Sequence, residues 1–192
     1  MSDSVAVFPE LGLSAYSCED LFHQQALLRA SEEALAWLLA RSKSLPVAAF
    51  VGLPAVRDGQ LFNCAALICG GRLVGVTPKT YLPNYREFYE LRQFTPAGNG
   101  AKEISFAGQS TPFGSLLFRM KEQPRLVLFA EICEDLWVPV PPSSHAALAG
   151  ATVIANLSAS NVTIGKHQYR HDLAANQSAR CIAAYLLSLI HI

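Results

Sequence analysis

Residues 126–132, Leu-Val-Leu-Phe-Ala-Glu-Ile, constrain this chain more than any other stretch. The run is apolar and β-prone, and it ends in Cys133. Two carboxylates and Trp137 follow, and Pro139, Pro141 and Pro142 then stop any continuation. Such a run reads as a buried strand. A strand that delivers one thiol to its own end can hold a nucleophile rigidly. Taken alone, Cys133 is equally a small buried hydrophobe.

Comparable runs recur along the chain. Residues 5–8 form one, stopped by Pro9 and followed by Glu10. Residues 47–51 form another. Residues 61–69 and 72–76 flank Gly70-Gly71 and read as a hairpin. Residues 106–112, with Gly108, Ser110 and Thr111, read as a turn before a strand over 113–119. Residues 152–156 form a further strand, with Asn156, Ser158, Ser160 and Asn161 at its end. Between these runs lie helical patterns. Ser17-Cys-Glu-Asp20 resembles a capping box, with Leu21, Phe22, Leu27 and Leu28 as its stripe. Ser31-Glu-Glu-Ala opens or continues a second stretch carrying Leu35, Trp37, Leu38 and Leu39. Ser143-Ser144 caps a short helix reaching Gly150. From Lys166 to the end the pattern predicts one helix with Leu173, Ile182, Tyr185 and Leu186 inward. Strands alternating with helices imply α/β layers.

Charge and cysteine usage exclude several classes. At 192 residues, half of them hydrophobic, the chain fits one large domain with a sizeable core. Fifteen basic residues balance fifteen acidic ones, which gives no footprint for nucleic acid or an anionic membrane. Five cysteines without a C-x-x-C pair fit a reducing compartment. No signal peptide is visible, and no apolar run approaches the ~20 residues of a membrane helix. A cytoplasmic protein is expected. His167 and His171 stand four apart on the last helix without the Glu of an H-E-x-x-H arrangement, so no metal is expected.

Glu10, Lys79 and Cys133 each follow an apolar run. Singly they read as a turn carboxylate, a solvated lysine and a core thiol. Lys79 opens a segment to Phe94 that is dense in polar and aromatic side chains and has no regular period. Such a segment is expensive to order unless it serves a purpose. Together the three residues suit amide hydrolysis. A carboxylate can take a thiol proton, provided burial raises its pKa. A fixed ammonium and the N–H of Glu134 can stabilise the oxyanion formed on attack.

Three stretches also resemble the nitrilase superfamily of carbon–nitrogen hydrolases, whose enzymes use a Glu–Lys–Cys triad. They are Phe8-Pro-Glu10-Leu, Pro78-Lys79-Thr-Tyr-Leu-Pro83 and Glu131-Ile-Cys133-Glu-Asp-Leu-Trp137. Longer matches are similar to the glutaminase domains of glutamine-dependent NAD synthetases: Lys79-Thr-Tyr-Leu-Pro-Asn-Tyr-Arg-Glu-Phe-Tyr-Glu90, the stretch from Cys133 to Ser144, and Asn156-Leu-Ser-Ala-Ser160 followed by Gly165-Lys-His. The resemblance implies an α-β-β-α sandwich. It implies that Glu10 is the base, Lys79 the oxyanion-stabilising lysine and Cys133 the nucleophile that forms a thioester with glutamine and releases ammonia. Glu90 falls where a second active-site glutamate stands. Tyr85, Glu134 and Ser160 match positions that hold the amino-acid end of the substrate. The glutaminase half needs no cofactor; ATP and deamido-NAD would be used by a synthetase domain, and homo-oligomers are expected at full length.

Two departures set further expectations. Glu10 stands almost at the start, ahead of which such domains place a strand and a helix, and the chain stops at Ser188-Leu-Ile-His-Ile192. A piece of a longer protein, with the sandwich incomplete at both ends, is expected. No Ser-Gly-Gly pyrophosphate loop is present, so the synthetase domain is expected to be absent from residues 1–192. The competing readings are another amidase or carbamoylase of the superfamily, an inactive piece with a structural or binding role, and a papain-like pairing of Cys133 with His145 or His167.

Overall fold

The computed structural model describes residues 4–189; the extreme apolar end at 190–192 and residues 1–3 lie outside the described residues. Two sheets form the body. The first contains β1 (Ser4–Val7), β2 (Val47–Arg57), β3 (Gln60–Cys69), β4 (Arg72–Pro78), β5 (Lys102–Phe106) and β6 (Gln109–Phe113), in the order β1-β2-β3-β4-β6-β5. The second contains β7 (Leu117–Arg119), β8 (Val127–Ile132), β9 (Val153–Ser158) and β10 (Ala184–Leu189), in the order β10-β9-β8-β7. β8, β9 and β10 run parallel, as do β1 and β2, while β2, β3 and β4 meander antiparallel.

Side-chain alternation along each strand builds the layers. In β2, Ala48 and Phe50 face Leu128, Ala130 and Ile132 of β8 and Ala155 and Leu157 of β9, forming the core between the sheets. Ala49, Val51 and Leu53 face the other way and meet Leu35 and Leu39 of α1 (Gln25–Arg41). Phe129 of β8 and Ile154 of β9 point outward into a cluster with Ala146 of α3 (Pro142–Leu148) and with Ala183, just beyond α4 (Lys166–Cys181). The result is an α-β-β-α sandwich. Phe50, Leu35, Leu128 and Ile154 are wholly or almost wholly buried. Each such side chain contributes roughly 1.5–3 kcal/mol of transfer free energy. α2 is one short turn, Glu90–Gln93, inside the irregular segment after β4.

The structure corrects five local expectations. Ser17 caps no helix: a 3-10 turn, Glu19–His23, precedes a single α1, and Ser31 lies inside that helix with its hydroxyl donated to Leu27 O at 2.9 Å. Residues 106–112 are a hairpin, β5 to β6, turning at Ala107 and Gly108 with φ of +50° and +73°. The run 113–119 is split, because the chain leaves the first sheet after Phe113 and enters the second at Leu117. Ser143 and Ser144 lie within α3 behind Pro141. The helix from Lys166 stops at Cys181, where Ile182 takes a left-handed turn (φ +50°) and is exposed, and β10 follows. Tyr185 and Leu186 are therefore strand residues. Their apolar run fits either period, and the unpaired edge of β9 supplies the backbone partners that decide for strand.

Candidate active site

Each reactive side chain sits where a strand gives way to a turn. β1 delivers Glu10, whose segment lies against Gly52 of β2 so closely that a Cβ there would stand 2.4 Å from Pro9 O and from Leu11 N. β4 delivers Lys79, whose backbone is pinned on both sides: its N–H donates to Asn63 O at 2.8 Å, and its carbonyl accepts the Ala97 N–H at 2.8 Å. β8 delivers Cys133 at the head of a 3-10 turn, Cys133–Leu136, with φ +45°. A β-carbon in that region carries strain of order 1–3 kcal/mol, held by surrounding contacts.

Those contacts are specific. The Ile132 N–H donates to Asp135 Oδ2 at 2.9 Å, the Cys133 N–H to Asn156 Oδ1 at 3.2 Å, and the Ser158 hydroxyl to Cys133 Sγ at 3.3 Å. Asp135 also accepts N–H bonds from Thr80 at 3.2 Å and Tyr81 at 2.8 Å. Burial pushes the Asp135 carboxyl up to about 8, against the pull of these donors.

Glu10, Lys79 and Glu90 form a buried ionic bridge. Lys79 Nζ lies 2.6 Å from Glu10 Oε1 and 2.6 Å from Glu90 Oε1. Glu10 also accepts Asn63 Nδ2–H at 2.7 Å and the Ala159 N–H at 3.0 Å, and Glu90 accepts the Tyr16 hydroxyl at 2.8 Å. Glu10, Lys79 and Glu90 are exposed by no more than 4%. Burial opposes the Lys79 ammonium, but Glu10 and Glu90 outweigh it and hold its pKa above the ordinary lysine range. Burial, helped by Glu10, pushes Glu90 up to about 7 against Lys79 and Tyr16. Burial and the Glu10 charge push Cys133 up to about 12, with Lys79 and the Ser158 hydrogen bond opposing. The thiol is therefore protonated at rest.

Cys133 also lines a cavity of about 330 Å³ whose wall includes Tyr85, Phe88, Glu134, Trp137, Ser160 and Lys166. All three residues expected to hold substrate thus share one cavity with the thiol. The Tyr85 hydroxyl lies 3.0 Å from both Glu134 oxygens. Burial raises the Glu134 pKa, with the Tyr85 hydrogen bond opposing. Ser160 is buried, and Arg170 of α4 fixes its loop by donating to Asn161 O at 2.9 Å.

The structure brings Glu10, Lys79 and Glu90 into contact and puts Cys133, Tyr85, Glu134 and Ser160 around one opening. His145 and His167 are exposed on α3 and α4, and the thiol's hydrogen-bond partner is Ser158. His171 is also exposed, against Asp172. Among the described residues no group of three or more His, Cys, Asp or Glu side chains is arranged to hold a metal ion. The sequence pattern does not mark Tyr16, Asn63 or Asp135 as site residues, and it marks Asn156 and Ser158 only as small polar groups at a strand end. Asn63 carries a legible signal, since it is the one polar side chain between Leu61 and Cys69 and so needs a buried partner.

A strained cysteine elbow over a lysine shared by two carboxylates, between two sheets, is an architecture for cleaving carbon–nitrogen bonds. Over residues 4–191 the sequence matches the carbon-nitrogen hydrolase family, and the chain belongs to that family. Its relatives include the glutamine-dependent NAD(+) synthetases of Mycobacterium tuberculosis, 50% identical over 184 residues, and of Mycobacterium leprae, 48% identical over 184 residues. Each alignment takes in 95% of this chain and 27% of the relative, so the chain spans about a quarter of the length of these proteins. The crystal structure of a glutamine-dependent NAD(+) synthetase from Cytophaga hutchinsonii superposes with a TM-score of 0.86 at 28% identity, covering 98% of this chain and 30% of that one.

Proposed function

We propose that this chain is the glutaminase part of a glutamine-dependent NAD synthetase: it hydrolyses the side-chain amide of L-glutamine through a Cys133 thioester and supplies ammonia. The observation that carries this reading is the buried Glu10–Lys79–Glu90 bridge, whose charges act on Cys133, together with a cavity walled by Cys133, Tyr85, Glu134 and Ser160. The similarity to NAD synthetases supports the choice of glutamine.

Because the thiol is protonated at rest, its proton leaves as the C–S bond forms. Glu10 takes the proton from Sγ while sulfur attacks the amide carbon. The oxyanion that results is met by Lys79 and the Glu134 N–H. An ammonium has three donors, and Glu10 and Glu90 occupy two of them, which leaves one for the oxyanion. Loss of one such donor costs about 3–4 kcal/mol in the barrier. Glu10 returns its proton to the leaving nitrogen, the C–N bond breaks, and ammonia departs from the thioester. Water then attacks that thioester and gives its proton to Glu10. Glutamate leaves and the thiol is restored. Glu90 keeps Lys79 charged and in place. The Glu134 carboxylate suits the substrate's α-ammonium, and Tyr85 and Ser160 offer hydrogen bonds to the same end.

In this reading the ammonia is consumed by a synthetase domain that uses ATP and deamido-NAD and is not part of these residues. No described helix is long and apolar enough to cross a membrane. The cytoplasmic location is proposed from the cysteine usage, which fits a reducing compartment. The test is ammonia release from L-glutamine, set beside asparagine and simple aliphatic amides. Glutamine preferred, and activity lost in Cys133→Ala, supports the proposal. Equal turnover of aliphatic amides would move the protein to another amidase class, and activity retained in Cys133→Ala removes the nucleophile.

A further inference from the structure

Behind the thiol, on the outer face of the second sheet, runs a buried chain of hydrogen bonds that the reaction above does not use. Glu131 and Asn156 are register partners on β8 and β9, so their side chains share that face. Both are buried, at 1% and 0% exposure. Asn156 Oδ1 accepts the N–H of Cys133 at 3.2 Å, and its Nδ2 donates to the Tyr185 hydroxyl at 3.0 Å. That hydroxyl donates in turn to Glu131 Oε1. Glu131 Oε2 accepts the Ser143 N–H of α3 at 2.9 Å. Among the described residues Glu131 has no ion-pair partner. A buried carboxylate held without a cation is costly, and its retention calls for a purpose.

We propose that Tyr185 and Glu131, acting through Asn156, are positioning residues that set the backbone of Cys133 for attack. A primary amide has an acceptor end and a donor end of nearly equal size. Only one orientation of Asn156 presents oxygen to the Cys133 N–H; the flipped amide would set NH₂ against N–H. The Tyr185 hydroxyl, with the Glu131 carboxylate that the Asn156 amide also meets, selects between them. Its single proton goes to Glu131, which leaves it only lone pairs for Asn156, so the amide must turn Nδ2 toward Tyr185 and Oδ1 toward Cys133. Burial works against the ionised form of Glu131, but the bonds it accepts from Tyr185 and the Ser143 N–H favour it, and as a carboxylate it can only accept, so it fixes the direction of the whole chain of donors. The elbow at φ +45° needs such an over-determined acceptor to persist. The arrangement also occupies the Cys133 N–H, which leaves the neighbouring Glu134 N–H as the backbone donor to an oxyanion.

This inference rests on Cys133 being the nucleophile, so the test separates the two. The full chain is assayed with L-glutamine, and Cys133 alkylation by iodoacetamide is followed by peptide mapping, which reads the thiol without turnover. Tyr185→Phe removes the selecting hydroxyl. Its kcat is expected to fall about 10- to 100-fold, the loss typical of a misplaced reacting group, with KM unchanged within about twofold. Cys133 alkylation is expected to slow in parallel. Glu131→Gln cannot accept from both the Tyr185 hydroxyl and the Ser143 N–H, so it is expected to lower kcat and Cys133 alkylation in the same direction as Tyr185→Phe. Asn156→Ala deletes the acceptor itself and is expected to reproduce the Tyr185→Phe loss, so it decides the question if Tyr185→Phe does not fold. Folded Tyr185→Phe or Asn156→Ala protein with wild-type kcat and alkylation overturns the positioning role. Altered alkylation together with no dependence of turnover on Cys133 would instead sink the catalytic reading and leave the positioning of the thiol standing.

Discussion

The Asp135 carboxylate accepts the backbone N–H of Tyr81 at 2.8 Å through Oδ1 and that of Ile132 at 2.9 Å through Oδ2. One side chain thus ties the loop that carries Lys79 to the elbow that carries Cys133. The position of the lysine relative to the thiol is set by this clamp as much as by the sheets.

Asp135→Asn keeps the size of that side chain but must turn an NH₂ toward at least one N–H donor. A buried donor left unpaired costs about 1–3 kcal/mol. Urea unfolding is expected to show a loss in that range with an unchanged m value. Glutamine turnover is expected to fall more than stability alone explains.

Replacing Lys79 by Met leaves Glu10 and Glu90 buried without their shared cation. Breaking a buried ion pair from one side typically costs about 3–5 kcal/mol. Glu90, whose carboxyl burial already pushes up, can relieve part of that cost by binding a proton. Unfolding of Lys79→Met is therefore expected to be least destabilised near pH 5 and most destabilised near pH 8, which chemical denaturation at the two pH values checks.

Glu90 titrates near 7 in the folded chain and near the ordinary glutamate value when unfolded. Between those values the folded state holds the extra proton. Its contribution to stability is therefore complete at low pH and is lost as the pH rises through about 7. Melting temperature is expected to decline over that window, and Glu90→Gln is expected to remove this part of the decline. An identical slope in wild type and Glu90→Gln would contradict the assignment.

Gly52 packs on the turn that presents Glu10, and the atoms its Cβ would meet are backbone, which cannot swing aside. Gly52→Ala must push the 9–11 segment away from β2. A shift of Glu10 by a fraction of an ångström is expected to cost at least about 10-fold in kcat for glutamine, with a smaller change in KM. Steady-state kinetics on the folded variant measures it.

Most of the strands were legible because short apolar runs are punctuated by Pro and Gly. β3, β4 and β8 fall where residues 61–69, 72–76 and 126–132 place them, while β2 starts at Val47 as expected but runs on to Arg57, past the expected end at 51. The failures share a cause. The segment from Ile182 to Leu186 satisfies a helical stripe and a strand equally, and only the open edge of β9 decides. The split after Phe113 depends on which of two sheets needs a strand, which no local pattern encodes. In the site, Glu10, Lys79 and Cys133 stood out as charged or nucleophilic groups at strand ends. Tyr16 did not, and Asn156 and Ser158 were marked only as small polar groups at a strand end, because hydroxyls and amides gain their meaning from a distant partner, as Tyr16 does from Glu90, 74 residues away.

The central claim is that Cys133 carries the acyl group of glutamine. The most direct measurement is acid-quenched mass spectrometry of the chain during turnover, with the modified peptide located. A transient adduct of one glutamyl group is expected on the peptide containing Cys133, absent from Cys133→Ala. Steady ammonia release with no adduct on Cys133, or an adduct on another residue, would contradict it.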